Sequence, residues 1–193
     1  MYFWNMDLMR SYAKKMEVTI DRYQILIMLG LICGMCADVL LGCVFILGIL
    51  FFALGHILYL IAFCTLEKIQ KKDIIIIIPI AIASLFVVIG TPYIQVDDKF
   101  IEKLLLGYSV IIACMLGKAI SNVIEEKSTY RWLVLFGSVM FWFSDLVLAI
   151  DMFGQSSRWT WVLCSYVYWP AQNILAFSLF HYINGRREKR KEM

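Results

Sequence analysis

The chain has 193 residues, 62% of them hydrophobic, and a mean hydropathy of +0.77. A water-soluble domain is about 45–50% apolar, so soluble globular readings are excluded and the bilayer is the solvent for most of this sequence. The formal net charge of +3 gives no reason to expect nucleic acid as a partner, because basic residues in a membrane protein set its orientation.

Residues 1–22 begin with Tyr2, Phe3 and Trp4 and continue through Arg10, Lys14, Lys15 and Arg22, which reads as a basic interfacial lead-in. It has no long apolar core followed by a small-residue cleavage site, so no cleavable signal peptide is expected. Two spans follow, Tyr23 to Leu41 and Val44 to Cys64, because a bilayer core admits about 20 helical residues per crossing. The break between them falls near Leu41-Gly42-Cys43. After the polar loop EKIQKKD a third span runs from Ile74 to Gly90, and its Pro79 is tolerable where neighbouring helices satisfy the freed carbonyl. The acidic loop TPYIQVDDKFIE leads to a fourth span at Leu104 to Ile120. A fifth covers Trp132 to Ile150 and a sixth Trp159 to Tyr182, before the basic tail 183–193. The expected architecture is all-α: a polytopic membrane bundle of about six transmembrane helices, forming one domain over residues 1–193.

Six spans place 15 of the 18 Lys and Arg residues on one side, with Lys99, Lys103 and Arg158 on the other. The positive-inside rule makes the crowded side cytoplasmic, and both termini with it. Lys118 and His181 are expected to snorkel to that interface. Cys33 and Cys36 have CxxC spacing, but mid-membrane placement and the lack of a second pair read as small apolar packing residues.

The residues that could carry chemistry lie within the spans. Gly30, Gly34 and Asp38 share one face of the first helix, and Gly48, Phe52, His56 and Tyr59 share a face of the second. The fifth carries Gly137, Phe141 and Asp145 on one stripe with Ser144 alongside. The sixth presents Cys164, Tyr168 and Gln172 at four-residue steps, with Pro170 a candidate bend. At 1.5 Å per residue, Asp38 lies about 22 Å and Asp145 about 20 Å from the cytoplasmic starts of their helices, so the two acids fall at one level. Ionisable groups at such depth are costly and mark function more often than not. The bland alternative is helix glue, and for Tyr59, Tyr168 and Gln172 it is as good as substrate contact. Two histidines argue against a multi-histidine zinc site.

The segment ADVLLG…FILGILFFALGHILYLIAF resembles the signature of the YhhN-like lysoplasmalogenase family, an acid-bearing helix followed by one of the type FxxxHxxY. GSVMFWFSDLVLAIDMF and YWPAQNILA are similar to that family's second acid, in an SD context, and to its closing YxxAQ element. YSVIIACMLGKA matches more loosely, and the likeness covers five of the six spans. Two departures stand out. Ala37 occupies a position that is usually Gly, and members usually have about eight spans, so the resemblance implies a chain short of the first helix pair, a loss that preserves orientation.

The resemblance implies a cell-membrane hydrolase that cleaves the vinyl ether bond of lysoplasmalogen to a fatty aldehyde and a glycerophospho-alcohol. Its partners would be the lysophospholipid substrate and membrane lipid. Protonation of the vinyl ether's β-carbon gives an oxocarbenium ion that water attacks, which needs an acid and a second group to stabilise charge or activate water. Asp38 and Asp145 are the expected buried acid and base pair with His56 as a third catalytic residue, and Tyr59, Ser144, Tyr168 and Gln172 are expected to bind substrate. Nothing in the sequence demands a metal or an organic cofactor. The competing readings are a transporter of a small polar or lipidic solute, using Asp38, His56 and Asp145 as a proton relay, and a non-catalytic scaffold. Against transport, the chain shows no inverted repeat.

Overall fold

Asp21 opens the first helix of the computed structural model with a reciprocal cap: its side chain accepts from Gln24 N while its own N–H donates to the Gln24 side chain. Two of the orphan amide donors of a helix start are satisfied in this way. The structure describes residues 20–90, 94–154 and 156–191, together with Ser11 and Pro92, and side chains as far as 188. Most of the expected lead-in 1–22 lies outside these residues.

Six helices follow in order: α1 Arg22–Cys43, α2 Phe45–Leu66, α3 Lys71–Gly90, α4 Lys99–Glu125, α5 Thr129–Phe153 and α6 Arg158–Lys191. No strand occurs among the described residues. The break between the first two is shorter than expected. Val44 alone leaves the helical region, with φ near −137°, while Gly42 and Cys43 stay in α1. Gly48 follows within a turn, and a Cβ there would come within 2.7 Å of the Leu41 backbone.

Five helices, α1 to α5, are long and apolar enough to cross a membrane. The sixth does not meet that measure, although it is 34 residues long. Its apolar half is interrupted by Ser165, Gln172, Asn173 and a run of Trp and Tyr, so its mean hydropathy falls below that of the aliphatic spans. Trp159, Trp161 and Tyr166 stand exposed near its start, the kind of residue that collects at membrane interfaces. At its other end the helix continues through the basic tail to Lys191. There Arg186 and Tyr182 both reach Asp21 at 2.6 Å, fastening the end of α6 to the start of α1.

The helices form a closed circuit. α1 packs on α2, α2 on α4, α4 on α5, α5 on α6 and α6 on α1; α3 lies outside, against α4 and, lightly, α5. Consecutive α2 and α3 do not pack together. A buried ion pair fastens the start of α3: Asp73 meets Lys118 of α4 at 2.8 Å and accepts from Ser121, and Lys118 also donates to the Lys68 carbonyl at 3.1 Å. The expectation that Lys118 snorkels is therefore corrected, since it is 2% exposed. A carboxylate 45 residues away in the chain, on α3, gives it a partner inside. The core between the circuit helices includes Ile27, Leu31, Phe63, Met115, Leu175 and Leu179.

Candidate functional site

Phe141 of α5 occupies the middle of the circuit, 1% exposed, with aromatic rings around it. His56 and Tyr168 stand edge-on at 5.1 and 5.4 Å between centroids, and Tyr59 is tilted at 6.1 Å. Two polar networks lie around this ring. Sequence spacing explains the placement, because Gly137, Phe141 and Asp145 recur every four residues and present one stripe inward.

The first network joins α2, α4 and α5. The Tyr108 hydroxyl donates to Asp145 Oδ2 and lies 3.2 Å from His56 Nδ1. With its single proton given to an ionised Asp145, Tyr108 accepts from His56 Nδ1, and Nε2 is then the lone-pair nitrogen of the imidazole. That Nε2 is buried with no hydrogen-bond partner among the described residues, 3.8 Å from Asp145 Oδ2. A buried polar atom left unmatched is uncommon and calls for an explanation.

The second network joins α1, α2 and α6. Tyr59 donates to Gln172 Oε1 at 3.2 Å, Gln172 Nε2 donates to the Tyr168 hydroxyl at 3.0 Å, and Tyr168 is hydrogen-bonded to the Asp38 side chain. The small residues of α1 make room for it. A Cβ at Gly30 would collide with the Tyr59 ring, and one at Gly34 with the Gln172 amide. Gly55 of α2 brings the two helices together, its Cβ position 3.3 Å from the Gly30 carbonyl.

An apolar cleft reaches the first network from the side of the bundle opposite the basic termini. Phe45, Ile49 and Phe52 of α2, Val88 of α3, Leu105 and Ile112 of α4 and Trp142, Ala149 and Phe153 of α5 line it, with Tyr108 and Asp145 as polar groups in its wall. Phe45 and Phe153 meet edge-on at 5.6 Å at its outer end. Ser84 is also in the wall, its hydroxyl taken by the Trp142 indole N–H at 2.7 Å.

The structure thus brings together most of the residues expected from sequence, but it divides them. Asp145 alone of the expected set lines the cleft; His56 lies behind it. Tyr59, Tyr168 and Gln172 sit on the α1 and α6 side of Phe141 and are not among the residues lining the cleft. Ser144 is fully buried and donates to the Phe141 carbonyl at 2.8 Å. Asp38 requires a correction. It was expected to be buried beside Asp145, but it is exposed, near the end of α1, where, among the described residues, that helix has only α2 and α6 as neighbours. The two carboxyls are still within electrostatic reach of each other. Tyr108, which sequence reasoning passed over, is the group that ties the histidine to the acid.

No curated protein and no solved structure matches the chain. The model of the YhhN family matches residues 6–179, which contain both networks and every wall of the cleft, and the chain belongs to the YhhN family.

Proposed function

We propose that this chain is a membrane hydrolase of the vinyl ether bond of lysoplasmalogens, with Asp145 as its proton donor. The observation that carries the reading is the position of Asp145, a carboxyl in the wall of an otherwise apolar cleft and hydrogen-bonded from behind by Tyr108. A single alkenyl chain suits the apolar wall, and the enol ether carbons then meet the one acid present there.

Asp145, protonated, delivers its proton to the β-carbon of the vinyl ether. The C=C electrons form that C–H bond, and an oxocarbenium ion remains at the carbon bearing the ether oxygen. Water adds to this carbon and gives its proton to the Asp145 carboxylate, the reversal of roles that glycosidase acids undergo. The hemiacetal collapses to the fatty aldehyde and the glycerophospho-alcohol, so one water is consumed and the acid is regenerated. Tyr108 and His56 position Asp145 through the shared hydroxyl. The Asp38 carboxylate, held by Tyr168, places negative charge near the developing cation.

Carrying out the reaction in heavy water tests this sequence of steps. Proton delivery to the β-carbon puts one deuterium on the carbon next to the aldehyde carbonyl, and Asp145→Asn lowers the rate by about 10²- to 10⁴-fold, the range for a general acid. Aldehyde without that deuterium, or an Asp145→Asn rate equal to wild type, removes Asp145 from the role.

A further inference from the structure

We propose that the groove between α2 and α4 is the headgroup subsite, with Lys103 as the residue that binds the phosphate of a lysophospholipid, so that the lipid enters from the face opposite the basic termini. This rests on the hydrolase reading and adds to it a side of entry and a headgroup contact.

The groove runs along the outer surface of the bundle, between Leu50, Leu54 and Ile57 of α2 and Lys103, Gly107 and Tyr108 of α4. Tyr108 therefore has the apolar cleft on one side and this lateral groove on the other. At Gly107 nothing stands within 4 Å of the Cβ position, so the groove floor beside Tyr108 is open. Among the described residues, Lys103 is the only charged one in the wall. It is exposed and has no ion pair among the described residues, while the nearby Asp98 is occupied in capping α4. A phosphate is the anion that a lysophospholipid brings to this depth, and an ammonium on a flexible stem is an ordinary binder of it.

The spacing agrees with the chemistry. Lys103 and Tyr108 are five residues apart on one helix, about 7.5 Å along its axis and about 140° around it, and both side chains lean toward the helix start. Six covalent bonds separate the phosphorus of a lysoplasmalogen from the first vinyl carbon, about 7 Å at the reach of an extended chain. Phosphate at Lys103 thus sets the vinyl ether at the depth of Tyr108, whose hydroxyl reaches Asp145. The polar groove at the opposite end, around Tyr130 and Arg186, does not serve. Tyr130 is 15 residues from Asp145 on α5, about 22 Å.

The test is binding, which does not depend on turnover. A saturated 1-O-alkyl lysophosphocholine, which the enzyme cannot cleave, and the 1-O-alkylglycerol of equal chain length are titrated into the full chain in nanodiscs, and tryptophan fluorescence is read. Wild type and Lys103→Arg should bind the phospholipid about tenfold more tightly than the glycerol ether, and Lys103→Ala should bring the two within about twofold. A preference that survives Lys103→Ala, or wild-type protein that binds neither lipid or both equally, overturns the proposal. Failure of the hydrolase reading looks different: the phosphate preference would stand while no aldehyde forms from a vinyl ether lipid.

Discussion

A tyrosine hydroxyl has one proton to give and can accept others, and Tyr108 uses both capacities, donating to Asp145 and standing 3.2 Å from His56 Nδ1. Tyr108→Phe keeps the ring and removes that link. A hydrogen bond to a charged group contributes about 1.5–3 kcal/mol, so kcat for aldehyde release should fall by about ten- to a hundredfold. KM should change little, because the ring still lines the cleft; a raised KM with unchanged kcat would show Tyr108 to be a binding group instead. Asp38→Asn should cost less, about tenfold in kcat, or about 1.4 kcal/mol, since Asp38 is outside the cleft. A loss equal to that of Asp145→Asn would restore the two acids to equal roles. Asp145 and His56 were legible in the sequence because ionisable groups stand out in apolar helices. Tyr108 was not, since tyrosine is common in such helices and its partners lie 37 and 52 residues away in the chain. The available signal was its position on the buried stripe of Leu105, Ser109 and Ile112.

Helix boundaries and the packing faces of single helices were read with fair accuracy, since they follow from runs of apolar residues and the spacing of small ones. The Gly30 and Gly34 face of α1 is the clearest case. Gly34→Ala drives a methyl onto the Gln172 amide, and overpacking of this kind costs about 1–3 kcal/mol. The apparent Tm in detergent should fall, whereas Gly42→Ala, with nothing within 4 Å of its Cβ position, should leave it unchanged. Equal behaviour of the two variants would contradict the close contact. The attachment of α3 was not legible, because Lys118 looks like any lysine near a helix end until Asp73 is brought beside it. Lys118→Met leaves Asp73 buried without its cation and should cost about 3–5 kcal/mol, most of which the double replacement Lys118→Met with Asp73→Leu restores. Additive losses would mean that the pair is not coupled. The failure of α6 to reach the hydropathy of the other spans has a similar origin: its aromatic and amide side chains build the second network and the exposed aromatic end, and both lower its apolar score.

The order of helices around the circuit could not be read from the sequence, because nothing local states that α4 rather than α3 packs on α2. That order is what sets Tyr108 of α4 between His56 of α2 and Asp145 of α5. It also bears on transport. Between Tyr59 and the basic face the circuit is filled by Phe63, Met115, Ala119, Val134, Leu175 and Leu179, all buried and apolar, whereas the opposite half holds the cleft and both networks. A site approached from one half and packed in the other suits chemistry on a bound lipid better than passage through the bundle. The most direct test is fatty aldehyde release by the purified chain from a lysoplasmalogen, beside an ester-linked lysophospholipid and an Asp145→Asn control that elutes as folded protein. Aldehyde from the vinyl ether lipid alone, reduced at least a hundredfold in the control, is the predicted result; no aldehyde from folded wild type, or equal release by Asp145→Asn, would contradict it.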